Sequence, residues 1–205
     1  MMWSDTCRPA MNFVEPIRSR KKIDHIKDFL VEQGRYRDLL LFVVGINTAL
    51  RVSDLLKLRI GDFVVEDGTL RDRFWIREAK CGKRHQVIIN DSIAQTLVDY
   101  RRAYPKVEID PGHYVFFNVK TENYQRPISR KQAWKIVTTL CHDVGLQGNY
   151  GTHTMRKTWG YHARQNGVDL ALIMHQLNHN DLAHTKRYLG ITDDELEIVS
   201  RRLNL

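Results

Sequence analysis

Long apolar runs are missing: no stretch reaches the roughly 18 residues that a membrane-spanning helix needs. The opening "MMWSDTCRPA" also lacks the apolar core of a secretory signal. Cysteine is scarce. Cys7, Cys81 and Cys141 are odd in number, far apart and without a Cys-x-x-Cys pair, which argues against a disulfide framework and a zinc knuckle and for a reducing cytoplasm. No internal repeat, low-complexity tract or Gly/Ser/Pro-rich linker divides the chain, so a single domain is expected. His175 and His179 stand four apart with His184 nearby, but the His-Glu-x-x-His pattern of a zinc hydrolase is absent, and no metal is expected.

What is present favours a folded domain with an anionic partner. The chain has 205 residues and 42% hydrophobic content, enough for a sizeable core. Lys and Arg outnumber Asp and Glu by 32 to 24, giving a formal charge of +8 and pointing towards a polyanion such as nucleic acid. A soluble basic surface would give the same total.

Helical patterns dominate. Ile23, Ile26, Phe29 and Leu30 recur at helical spacing, and "RYRDLLLFVVGINTAL" (35–50) is apolar almost throughout, as a buried central helix would be. Ser53 is placed to cap a further helix, "DLLKLRI". Between Phe63 and Asn90 the segments "FVVEDGTL", "RFWIREA" and "HQVIIN" are short and β-branched or aromatic, separated by Asp67-Gly68 and "KCGKR", which predicts a small three-stranded antiparallel sheet. After a helix over 91–104 and a stray strand at "YVFF" (114–117), helices follow over 129–145, 152–167 and 169–178. A Thr192-to-Glu195 capping box opens the closing segment. The fold class is therefore mainly α with a small antiparallel β-sheet. Residues 1–14, with a second plausible start at Met11, form an N-terminal extension.

Several polar residues invite a chemical reading beside a structural one. Arg71, Arg73, Arg77, Lys80, Lys83 and Arg84 crowd the expected sheet, against only Asp72 and Glu78, either as a phosphate-reading finger or as a solvated edge that resists aggregation. Arg51 follows the apolar helix at the lip of the core. It is aimed at an anion, or paired with Asp54, or held by Asp54 for a ligand phosphate. His153 and Arg156 share one face near a helix N-terminus, where the helix dipole adds positive charge; a surface pair would look the same. Tyr188 is an oxygen nucleophile of ordinary pKa about 10 and needs cations or a base to react. Lys186 and Arg187 adjoin it.

Taken in order, "TALRVSDLLKLRIGDF", "EAKCGKRHQVII", "GTHTMRKTWG" and "LNHNDLAHTKRY" together resemble the catalytic domain of tyrosine recombinases, the phage integrase family, across residues 15–190. The family usually has Leu-Gly-His where this chain has Leu177-Asn178-His179. The resemblance implies Tyr188 as nucleophile, Arg51 and Arg156 as phosphate clamp, and Lys80 as the hairpin acid, with Lys83 or Arg84 sharing its turn. It further implies His153 as a proton-transfer or phosphate contact, His179 as a phosphate contact, and Asp54 as the residue that orients Arg51. Arg77, Lys83, Arg84, Lys157, Lys186 and Arg187 are candidate DNA contacts.

The implied reaction is site-specific strand cleavage and rejoining through a 3′-phosphotyrosine link, without metal or ATP, because one phosphodiester replaces another. Implied partners are duplex DNA at recombination sites, a homo-oligomer (a tetramer) on that DNA, and accessory DNA-bending proteins; the implied location is cytoplasmic and nucleoid-associated. Relaxation of supercoils by a topoisomerase-IB-like enzyme, and a non-catalytic DNA-binding regulator, remain alternatives on the same fold. The resemblance also implies either a piece of a longer chain or a shorter member typified by fimbrial phase-switch invertases. It makes 191–205, with Leu196, Ile198, Val199 and Leu203, a candidate intersubunit helix.

Overall fold

The structure is a computed structural model and describes residues 14–191 and 201. The N-terminal extension up to residue 13, Cys7, Met11 and the capping box and apolar residues of 192–205 lie outside the described residues.

Helix α1, Arg20–Glu32, begins where the Ser19 hydroxyl accepts the Lys22 N–H at 3.3 Å, and it buries Ile23, Ile26 and Leu30 on one stripe. Helix α2, Tyr36–Thr48, buries every residue from Leu39 to Gly45 and is the spine around which α1, α5 (Asp91–Ala103) and α7 (Thr152–Gln165) pack. Gly45 makes one of those contacts close: a Cβ there would lie 3.0 Å from the Met155 Cβ on α7. The two helices that flank the candidate site therefore approach almost backbone to backbone. α2 ends in Ala49, whose φ of 58° is left-handed, a conformation that costs a non-glycine residue roughly 1–2 kcal/mol and so needs support from its surroundings.

The next helix departs from expectation. Ser53 lies inside the helix it was expected to cap: α3 spans only Val52–Leu55, with Arg51 at its N-cap position, and α4 follows at Ile60–Phe63. The expected three-stranded sheet is a two-stranded hairpin of β1, Arg73–Arg77, and β2, Arg84–Ile88, in the register Arg73 to Ile88 through Arg77 to Arg84. Its supposed third strand turns back on itself. Phe63 finishes α4, and Asp67-Gly68 makes a turn tight enough to leave one isolated bridge between Val64 and Leu70, so no ladder has room to form. The stray strand at 114–117 also has a partner: β3, Phe117–Asn118, pairs with β4, Asn123–Pro127.

Beyond the hairpin, α5 (Asp91–Ala103) is capped by Asn90 and stops before Pro105, which opens a single 3-10 turn, Pro105–Ile109. Ser129 and Gln132 cap each other reciprocally at the start of α6, Arg130–Asp143. Helices α7 (Thr152–Gln165), α8 (Leu170–Gln176) and α9 (Leu182–Leu189) complete the described chain. The main core gathers around α2, while a smaller cluster of Ala49, Ile173 and Leu177, with Trp159, Tyr188 and Leu189 against it, joins the end of α2 to α7, α8 and α9. None of the described helices is long and apolar enough to cross a membrane.

Candidate functional site

Arg156 is the structural centre of the site. It is only 2% exposed, on the first turns of α7. One arm of its guanidinium, Nη1, donates to the carbonyl of Ala49, and the other, Nη2, donates to the carbonyl of Leu177. Two residues beyond Ala49 stands Arg51; two residues beyond Leu177 stands His179. A planar fork with donors on separate arms thus staples together two loops far apart in sequence, each carrying a candidate site residue. The same bond steadies the left-handed Ala49.

His179 and Tyr188 are joined by α9. The imidazole Nδ1 lies 3.1 Å from the hydroxyl of the buried Thr185, which itself donates to the Asp181 carbonyl at 3.1 Å. A hydroxyl that has spent its hydrogen must accept, so Nδ1 carries the proton and Nε2 presents a lone pair. Burial, and next the Arg156 charge, push the His179 pKa down to about 4. The ring meets Tyr188 edge-on at 5.1 Å between centroids, and the Lys157 ammonium lies 5.2 Å from the Tyr188 centroid. The Tyr188 hydroxyl is buried and makes no hydrogen bond of good geometry among the described residues. Burial pushes its pKa up to about 12, against the opposing Arg156 and Arg51 charges.

At the rim, His153 is lowered by desolvation and then by the charges of Arg156, Lys157, Arg51 and Lys80, which brings the N-terminus of α7 and the hairpin turn into one electrostatic neighbourhood. Lys80 is exposed in that turn and has no hydrogen-bond partner among the described residues, whereas the Lys83 ammonium is held 2.7 Å from the Asn180 side chain. Arg77 donates to the Gly82 carbonyl at 3.1 Å, and Arg84 stacks 4.6 Å over the exposed Trp75 ring. Lys186 and Arg187 are exposed on α9; Arg187 shares with Arg18, Lys157 and Tyr188 a cavity of about 460 Å³. A larger cavity, about 570 Å³, opens at the far end of α2 around Arg35, Arg37 and Asp38 and holds none of these candidates.

One expectation is overturned. Asp54 does not hold Arg51: its Oδ1 accepts the Ala79 N–H at 2.8 Å, and its Oδ2 has no partner among the described residues. Arg51 pairs instead with Glu78, at the end of β1, because α3 begins at Val52 and turns Asp54 towards the hairpin backbone. Glu78 is fully buried, and its other oxygen lies 3.1 Å from Nδ1 of the buried His85. Burial alone would raise the Glu78 carboxyl; hydrogen bonding from His85, Asn178 and Cys81 and the Arg51 charge bring it down to about 2.

Neither Glu78 nor His85 stood out in the sequence, although a signal existed: strand alternation places His85 with Val87 on the inward face, where a polar ring requires a partner. Asn178 occupies the left-handed region at φ 47°, which glycine takes freely and asparagine tolerates better than most residues.

The sequence matches the model of the phage integrase family over residues 19–195. The chain belongs to that family. It is 38% identical over 184 residues to the probable integrase/recombinase YoeC of Bacillus subtilis, covering 90% of this chain and 93% of that one. Tyrosine recombinase XerA of Pyrococcus furiosus is 27% identical over 86% of this chain, but the chain spans only 58% of its length. Among solved structures, XerA recombinase superposes with a TM-score of 0.71 at 20% identity, over 98% of this chain and 67% of that one. A lambda integrase dimer bound to a core site gives 0.62 at 15% identity, over 89% and 62%. The fold is that of tyrosine recombinase catalytic domains.

Proposed function

We propose that this integrase-family chain cleaves and rejoins DNA strands at specific sites through a 3′-phosphotyrosine intermediate, with Tyr188 as nucleophile. The observation that carries the reading is the Arg156 staple, which ties the loop before Arg51 to the loop before His179, while the Arg156 and Arg51 charges both act on Tyr188. Related chains are named as recombinases, and structures of similar fold, among them XerH on its difH substrate, are bound to DNA.

Attack joins the Tyr188 oxygen to phosphorus and breaks the bond to the 5′ oxygen. Arg51 and Arg156 neutralise the non-bridging oxygens as a further charge develops. Alkoxide is a poor leaving group, so Lys80, uncommitted in its turn, protonates the 5′ oxygen as it departs. His153 takes up the phenol proton as the bond to phosphorus forms and returns it when the step reverses. His179 is neutral in the free protein with its Nε2 unprotonated; the phosphate's negative charge lets it take up a second proton and donate to the phosphate. A 5′-hydroxyl from another strand reverses the step. Arg77, Lys83, Arg84, Lys157, Lys186 and Arg187 contribute phosphate contacts outside the reacting centre. The active form is an oligomer on duplex DNA.

A pool of nicked duplexes with randomised arms, incubated with the protein in EDTA, tests this. Covalent complexes recovered and sequenced should share one site, and Tyr188→Phe should yield none. Adduct persisting in that variant defeats the nucleophile assignment. Relaxation of any supercoiled plasmid by the monomer would indicate a topoisomerase, and tight binding without adduct a regulator.

A further inference from the structure

Glu78 lies outside the residues to which the family resemblance points, yet Arg51 and the hairpin turn that carries Lys80 meet on its side chain. One carboxylate oxygen takes the Arg51 guanidinium and lies 3.1 Å from the Cys81 sulfur; the other lies 3.1 Å from His85 Nδ1. Its backbone closes the turn that presents Lys80: the Glu78 N–H donates to the Lys83 carbonyl at 2.9 Å, and its own carbonyl accepts the Gly82 N–H at 2.8 Å. The neighbouring Ala79 N–H is held by Asp54, on the same short helix that Arg51 begins. His85 extends the joint inward. Its Nε2 sits 3.1 Å from the Thr48 carbonyl, in the last turn of α2, and 3.2 Å from the Gln176 amide on α8.

Glu78 is the only hydrogen-bond partner of the Arg51 guanidinium among the described residues, and the Arg51 side chain is 17% exposed, so guanidinium donors beyond the one engaged by Glu78 are open to a ligand. Without that carboxylate, a long side chain at a helix start has nothing to fix its direction. We propose that Glu78, backed by His85, is a positioning residue for strand cleavage: it holds the Arg51 guanidinium and the Lys80 turn in fixed relation to the same scissile phosphate. The proposal rests on the strand-cleavage reading above. It also runs against the obvious alternative, that Glu78 competes with DNA phosphate for Arg51, which predicts the opposite sign.

The probe is the duplex recovered from the randomised pool, used in single-turnover adduct formation with the full chain. Glu78→Gln keeps the shape but removes the charge, and it should slow adduct formation by about ten- to a hundredfold at saturating protein. On the same duplex with a methylphosphonate at the scissile position, which lacks the negative charge that Arg51 neutralises, the gap between wild type and variant should narrow to the part that the Lys80 turn contributes. A merely structural defect would slow both substrates alike. His85→Gln, which keeps a donor for Glu78, should retain most activity, and His85→Leu should reproduce the charge-dependent defect; this pair decides the matter if Glu78→Gln does not fold. Equal or faster cleavage by Glu78→Gln, or an equal deficit on both substrates, overturns the proposal. Absence of adduct from the wild-type chain would instead overturn the recombinase reading itself.

Discussion

Arg156→Lys separates the shape of the Arg156 fork from its charge. Lysine retains the positive charge but brings one nitrogen where arginine brings two arms, and those arms reach carbonyls on different loops, those of Ala49 and Leu177. At least one of these buried acceptors loses its charged donor. Such bonds are worth about 1.5–3 kcal/mol each, and for a chain of this size 1 kcal/mol moves the midpoint by roughly 2–4 °C, so thermal unfolding should fall by about 3–12 °C. The chemical effect should be larger. Arg51 and His179 each sit two residues beyond a stapled carbonyl, and a drift of about 1 Å in such groups costs on the order of a hundredfold in rate. Calorimetry and single-turnover adduct formation measure the two effects on one preparation. A variant that melts within about 1 °C of wild type and reacts at its rate would refute the staple.

Three further outcomes follow from the geometry. Tyr188→Phe should abolish adduct while leaving the melting temperature unchanged or up to a few degrees higher, because the hydroxyl it removes is buried without a good partner; calorimetry reads the sign. Stability should decline on acidification. The unfolded chain protonates His179 near its ordinary 6.5, but the folded site resists until about 4, so the folded state loses ground as pH falls through that interval; His179→Gln should flatten the melting curve there. Glu78, stabilising above the ordinary carboxylate range, loses its contribution as pH falls from 4.5 towards 2. Asn178→Gly should preserve the fold, since glycine accepts φ 47°, whereas Asn178→Val should cost about 1–3 kcal/mol in urea unfolding.

Much of this arrangement was legible in the sequence wherever the signal was local. The apolar stripe of α1 and the near-continuous apolar α2 declared their helices because periodicity is a short-range property. Arg51, His153, Arg156, His179 and Tyr188 were picked out by their order along the chain, and the fold does bring their segments together. What escaped was set by tertiary pairing. β4 reads as polar loop, "NYQRP", and is a strand only because β3 lies beside it. Asp54, three residues after Arg51, looked like its partner; the partner is Glu78, 27 positions away, and only the packing of the hairpin against the end of α2 makes that contact. The Arg156 staple was equally hidden, since its acceptors are backbone carbonyls that carry no residue signature.

The most direct test of the central claim is to locate the DNA link itself. Covalent complex formed on the recovered duplex, digested with protease and nuclease and analysed by mass spectrometry, should yield the peptide containing Tyr188 with a 3′-linked nucleotide on the phenolic oxygen. A nucleotide attached to any other side chain, or linked through its 5′ end, would contradict the account.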